Sequence, residues 1–176
     1  YNCMNPLHQR NIGLASTALV DDRMTVELIF DGYHIHPQMI DLACRVKSRE
    51  QVIAVSAATI GTGLKDGLYE FGGRKITIEN QHSFLEDGTI AGSMITQEQA
   101  WKNMLNFTHF EPKNAIACFT ANPARDLGLL DRGTLQPGLE ADIVIMNENH
   151  EVQLTLVGGK IAYIRNPEII KKYESE

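Results

Sequence analysis

Apolar and polar positions repeat with two different rhythms along this chain, and the change of rhythm near Gly67 divides it. Met24 to Phe30 (MTVELIF) is a near-continuous apolar, β-branched run, the pattern of a strand covered on both faces, as in parallel sheets. Pro37 suits the first turn of a helix. Met39, Ile40, Leu42, Ala43 and Val46 then recur at helical spacing, and the segment ends in Lys47-Ser48-Arg49. Gln51 to Ser56 (QVIAVS) is a second apolar strand, followed by Gly61 and Gly63. Strand, helix and strand at these spacings predict one right-handed βαβ unit. Ahead of it, residues 1–22 predict loop and turn, with Asn5-Pro6, a break at Gly13 and a short Ala-rich piece up to Val20.

After Gly67 the pattern alternates. Leu68–Phe71, Gly72-Gly73 and Arg74–Glu79 predict a β-hairpin, followed by a turn at Glu86-Asp87-Gly88. Thr96-x-x-Gln99 is a capping box. It opens a helix whose Trp101, Met104 and Leu105 form a stripe of core type. Pro112 opens another helix through Ala115, Ile116 and Phe119, and Asn122-Pro123 a short one ending near Gly128. Ala141–Met146, Val152–Val157 and Lys160–Ile164, separated by turns, predict an antiparallel β appendage. The expected organisation is therefore an α/β chain: residues 1–132 as (β/α) barrel units with a hairpin insertion near 68–80, residues 133–165 as strands of a small β domain, and a charged tail, 166–176, expected to fray. One βαβ unit does not close an eight-stranded barrel, which takes about 200 residues or more. A lone parallel pair leaves two open edges.

Composition narrows the partners. A 43% hydrophobic fraction supports a real core, and 22% charged residues is typical of globular chains. The net charge of −6 argues against nucleic acid, which calls for basic patches. No apolar run approaches the length of a membrane span. Cys3, Cys44 and Cys118 are scattered and odd in number, as expected of reduced thiols in a cytoplasmic protein. The chain opens on Tyr1 and not on Met, which fits a piece of a longer product, with Met4 as the alternative start.

Several segments together resemble the N-acetylglucosamine-6-phosphate deacetylases of the amidohydrolase superfamily. They are Tyr1-Asn2-Cys3-Met4 with Arg10, Asp31-Gly32-Tyr33-His34, Gly61-x-Gly63-x-x-Asp66-Gly67 and Ile90-Ala91-Gly92-Ser93. Thr120-x-Asn122-Pro123-Ala124-Arg125-x-Leu127-Gly128 and Pro137-Gly138-x-x-Ala141-Asp142-Ile143-Val144 complete the set. The last two recur across amidohydrolases, and the others point to the sugar-phosphate deacetylases. The resemblance implies the C-terminal half of such an enzyme: the last two strands of a (β/α)8 barrel, their helices, and part of a small β domain. It also implies a homodimer, an amino-sugar phosphate ligand, and a divalent metal, most often zinc, whose Glu and two His ligands are not in this chain.

Residue by residue, the resemblance makes His34 a substrate-binding histidine within Asp31, Gly32, Tyr33 and His34. It makes Arg10, Asn2 and the Cys3 backbone phosphate contacts, and Ile90, Ala91, Gly92 and Ser93 a loop whose backbone holds the sugar. Taken alone, each has a plainer reading: a loop histidine, a surface arginine, a turn. Arginine suits phosphate because its planar fork of donors reaches two oxygens at once. His36 is expected to pack or face solvent. His8, His82, His109 and His150 fall in no ligand spacing and are expected to be ordinary surface or loop residues. Asp142 is expected to hold a turn.

One position departs from the resemblance. The family carries an Asp after its final barrel strand, in a Val-Thr-Asp-Ala pattern, to activate water and protonate the leaving amine. This chain has Val55-Ser56-Ala57-Ala58, and no Asp or Glu lies between Glu50 and Asp66. Losing a general acid/base typically lowers rate about 100- to 10,000-fold. The expectation is a chain that is catalytically inactive as written, either a fragment or inactive form of the deacetylase or a non-catalytic remnant that binds sugar phosphate. A different amidohydrolase, of dihydroorotase type, is the remaining alternative.

Overall fold

The structure is a computed structural model and describes residues 1–167. The expected charged tail lies almost wholly outside them. Strands β1 (Val26–Ile29) and β2 (Val52–Val55) form a two-stranded parallel sheet, with Val26 opposite Val52 and Ile29 opposite Val55. The Phe30 amide extends the ladder to the Val55 carbonyl at 3.3 Å. Both strands therefore stop at the same level, and Phe30 and Ser56 leave the sheet side by side. Each strand keeps one edge free among the described residues.

The connection between them is helical, as the pattern predicts. A helix from Pro37 to Val46 starts with proline at its first turn, where a missing N–H is no loss. His36 faces solvent, within the expected packing or solvent role, and also caps the helix, its Nδ1 accepting the Gln38 amide at 3.3 Å. Its buried face is narrower than the spacing predicts: Ile40, Ala43 and Cys44 are buried, whereas Leu42 and Val46 are exposed. A short helix, α1 (Leu14–Val20), stands where loop was expected, so the Pro37–Val46 helix is α2. Lys47 is 4% exposed and reaches back to α1, donating from Nζ to the Asp21 carbonyl at 2.8 Å.

Helix α3 (Gln97–Phe107) covers β2 and α2 with Ala100, Trp101 and Met104. Half of the expected capping box forms: Thr96 Oγ1 accepts the Gln99 amide at 3.2 Å, while the Gln99 side chain turns to Asn103 instead. The helix expected from Pro112 to Phe119 is a single α-turn, α4 (Pro112–Ala115), continuing as a 3-10 helix over Ile116–Phe119. The tighter winding buries Cys118 and sets Phe119 edge-on to Trp101 at 5.6 Å. Helix α5 (Ala121–Asp126) follows. Its Asn122 is 1% exposed and donates to the Arg49 and Val52 carbonyls, both at 2.7 Å, locking α5 to the start of β2.

The hairpin expected near residues 68–80 is a three-stranded antiparallel meander: β3 (Gly67–Phe71), β4 (Arg74–Glu79) and β5 (His82–Leu85). A second meander joins β6 (Ile143–Met146), β7 (Val152–Val157) and β8 (Lys160–Ile164). Asp142 holds a turn of this sheet, as expected. Its Oδ1 accepts the Gly158 amide at 2.8 Å and its Oδ2 the Arg132 guanidinium at 2.7 Å. Among the described residues no helix is long and apolar enough to cross a membrane.

Candidate functional site

The parallel pair sets the geometry. Because β1 and β2 end together, the segments that follow them, Asp31–His34 and Ser56–Thr59, leave from the same rim of the sheet. Asp31 organises the first. Its Oδ1 accepts the Tyr33 and His34 amides, both at 2.9 Å, and its Oδ2 lies 2.5 Å from His34 Nδ1. Both carboxylate oxygens thus bond within the turn, and both side chains are nearly buried. Asp31 thereby positions His34. Gly32 has φ +73°, and an added Cβ would come within 3.0 Å of the Phe107 ring, so the turn needs glycine there.

The second segment binds the loop at 90–93. The Ala57 carbonyl accepts the Ser93 amide at 3.1 Å, and the Thr59 amide donates to the Ser93 carbonyl at 3.0 Å, forming a short parallel bridge. A Cβ on Gly92 would come within 2.3 Å of Thr59 Cγ2. The same loop is gripped from the other side by β5. Ala91 N–H donates to the Ser83 carbonyl at 2.8 Å, and Ser83 Oγ donates to the Gly92 carbonyl at 2.9 Å. Ile90 bridges to Phe84. Ser93 is 2% exposed, and its Oγ accepts the Ile95 amide, so the side chain is structural. The Gly92 N–H makes no hydrogen bond among the described residues.

Ala57 itself is exposed, with φ +50°, the left-handed region that L-alanine seldom adopts. The turn that carries His34 and the segment that carries Ala57, bonded to residue 93 of the 90–93 loop, thus leave the same end of the parallel pair. Arg10, Asn2 and Cys3 stand apart. They are exposed on the N-terminal segment, and among the described residues no hydrogen bond or ion pair joins them to the rim. The Arg10 amide donates to His8 Nδ1 at 3.2 Å, and Asn2 lines a cavity of about 400 Å³ between α1 and β1 with Leu14, Leu19 and Val26.

Two neighbours of the rim, His82 and Phe84, carried no ligand spacing in the sequence. Tyr33 stacks on His82, with ring centroids 3.9 Å apart and planes at 23°, and meets Phe84 edge-on at 6.3 Å. His82 is therefore a packed partner of the site and not an ordinary surface residue. His150 likewise packs on Trp101, at 5.8 Å.

Among the described residues no group of three His, Cys, Asp or Glu side chains could hold a metal ion. The residues present therefore do not fit the divalent metal that the resemblance implies. Burial pushes the Cys44 and Cys118 thiols up to about 12, which makes them packing groups and not nucleophiles or ligands.

Residues 11–162 match the Amidohydrolase family. The chain belongs to the amidohydrolase family. Among its relatives, N-acetylglucosamine-6-phosphate deacetylase of Bacillus subtilis (strain 168) is 39% identical over 93% of this chain, a stretch that is 42% of the relative. N-acetylgalactosamine-6-phosphate deacetylase of Escherichia coli O157:H7 is 32% identical over 92% of this chain and 43% of its own length. The structure of an Asp-to-Ala variant of N-acetyl-D-glucosamine-6-phosphate deacetylase from Mycobacterium smegmatis, in complex with N-acetyl-D-glucosamine-6-phosphate, superposes with a TM-score of 0.85. It is 30% identical, over 92% of this chain and 43% of that one. This amidohydrolase chain thus spans less than half the length of these relatives.

Proposed function

We propose that this chain is part of an amino-sugar-phosphate deacetylase, acting in the breakdown of N-acetylglucosamine-6-phosphate, and that as written it binds the sugar phosphate without hydrolysing it. In this reading residues 1–132 are the closing segment of a (β/α)8 barrel and residues 133–165 belong to its small β domain. What supports this reading is that the His34 turn and the Ala57 segment, which is bonded to Ser93, leave the same end of two parallel strands, where sites of such barrels lie.

Each residue has a role in this reading. Asp31 fixes the His34 imidazole through Nδ1, leaving Nε2 to hydrogen-bond a substrate oxygen. The Gly92 N–H, unused within its loop, meets a sugar oxygen. Arg10, with Asn2 and the Cys3 backbone, takes the phosphate once the N-terminal segment closes on the rim or a second subunit presents it. The divalent metal of the whole enzyme would be held by residues outside this chain. Ala57 carries no ionisable group, so it neither accepts a proton from water nor returns one to a departing amine. The Mycobacterium smegmatis variant, which lacks an Asp yet holds its substrate, supports binding as separable from turnover.

The test is a heteronuclear NMR titration of the chain with N-acetylglucosamine-6-phosphate, its galactosamine C4 epimer, and unphosphorylated N-acetylglucosamine. Shifts at His34 and Gly92 with either phosphate, together with no acetate release when zinc is added, are expected. Absence of binding by both phosphates would overturn the substrate class. Acetate release would overturn the assignment of Ala57 as a lost proton carrier.

A further inference from the structure

Strand β5 touches both arms of the rim through adjacent residues. His82 faces Tyr33, whose amide together with that of His34 is tied to Asp31. Ser83 holds the 90–93 loop at Ala91 and Gly92. Phe84 closes the contact edge-on to Tyr33 and bridges to Ile90. One four-residue strand therefore spans the gap between the turn that carries His34 and the loop that carries Gly92. Tyr33 is 44% exposed, so the stack at the rim is solvent-accessible on one side.

We propose that His82 is a positioning residue, whose stack on Tyr33 sets the distance between His34 and the 90–93 loop and thereby the affinity for the amino-sugar phosphate. The affinity part of this inference rests on the function proposed above. The positioning part does not, because it concerns how the two arms hold each other. A near-parallel pair of rings tolerates sliding but resists separation, so it fixes spacing without locking the turn. Ser83 carries the second half of the link through hydrogen bonds, which fix direction. Losing the ring leaves Ser83 in place and frees only the Tyr33 arm.

The experiment uses the full chain and its His82→Ala, His82→Phe, Tyr33→Ala and doubly substituted His82→Ala/Tyr33→Ala forms. Hydrogen exchange read by NMR reports the arms without any ligand. In His82→Ala the Tyr33 and His34 amides, 49 and 48 residues away in sequence, should exchange about 2- to 12-fold faster, the range an aromatic pair supports. His82→Phe should return them to the parent rate. Unchanged exchange at Tyr33 and His34 in His82→Ala would overturn the positioning role. So would equal acceleration of every amide in β3 to β5, which marks general loosening of the sheet.

The ligand arm uses N-acetylglucosamine-6-phosphate. His82→Ala should weaken binding several-fold, His82→Phe should restore it, and the double substitution should cost no more than the larger single one. Additive losses in the double form would overturn the coupling. Absence of binding by the unsubstituted chain would sink the functional reading and the affinity claim with it, while the exchange data still decide positioning.

Discussion

The Ala57 carbonyl accepts the Ser93 amide at 3.1 Å, and Ala57 holds φ at +50° as it does so. The two facts belong together, because Ala57 turns the chain out of β2 and aims its carbonyl sideways at the 90–93 loop. A left-handed L-residue other than Gly, Asn or Asp costs roughly 1–2 kcal/mol. The backbone at 57 is therefore better suited to the Asp or Asn that this sequence lacks. Ala57→Asn and Ala57→Asp should leave stability unchanged or raise it by up to about 1 kcal/mol, and Ala57→Val should lower it by about 1–2 kcal/mol. Urea unfolding followed by circular dichroism measures both, and a stable Ala57→Val would mean the turn adopts another conformation.

Asn122 gives the motif around it a structural meaning. Its amide nitrogen donates to two carbonyls on the approach to β2, while Arg125 donates to the Glu50 carbonyl. Asn122→Ala removes the donor from a site that is 1% exposed and strands the two acceptors. The expected loss is about 2–3 kcal/mol, with the β1–β2 register as its first casualty. Thermal unfolding of Asn122→Ala tests this. A change in Tm of under a degree would show that water replaces the amide without penalty.

Much of this arrangement was legible in the sequence, for a physical reason. Val52, Ile53 and Ala54 are all buried, so the run in β2 is continuously apolar, whereas β1 buries Leu28 and Phe30 and leaves Glu27, the one charged residue of its run, exposed; Pro37 marks the helix between them. Asp31-Gly32-Tyr33-His34 carried its own geometry: a glycine for positive φ and an aspartate two and three residues ahead of the amides it accepts. Strand β5 was hidden because it follows a tight turn at Asn80-Gln81, both at positive φ, without the glycine that usually announces such a turn. With β5 unread, His82 had no neighbour in view. Arg10 was recognisable only by resemblance, and nothing in the described contacts ties it to the rim. The Pro112 helix failed at its C-terminal half because packing of Cys118 under β2 outweighed the helical spacing.

The three cysteines should separate cleanly by reactivity. Cys3 is exposed, while Cys44 and Cys118 are buried with thiols pushed up to about 12 by desolvation. The thiolate is the reacting species. At pH 8 a thiol reagent should therefore modify one site per folded chain within minutes and three after denaturation. Mass spectrometry should place the fast adduct on Cys3. Rapid labelling of Cys44 would mean that α2 opens readily from the core.

Glu98 joins α3 to the second meander, and its charge should make that joint sensitive to acid. Oε2 accepts the Val152 amide at 2.7 Å and the Arg165 guanidinium at 3.0 Å, and Oε1 accepts Lys102 Nζ at 3.2 Å. Burial by itself would raise this carboxyl. The Val152 amide, Lys102 and Arg165 outweigh it and hold the group below its ordinary value of 4.5. A carboxyl lowered in the folded state stabilises it above the unfolded value and loses that contribution as pH falls through the folded one. Glu98→Gln keeps an acceptor for Val152 but drops the charge, so it should be less stable than the parent by about 1 kcal/mol at pH 7. Between pH 4.5 and pH 3 the two proteins should converge. A difference that stays constant from pH 7 to pH 3 would mean that shape, and not charge, makes the joint.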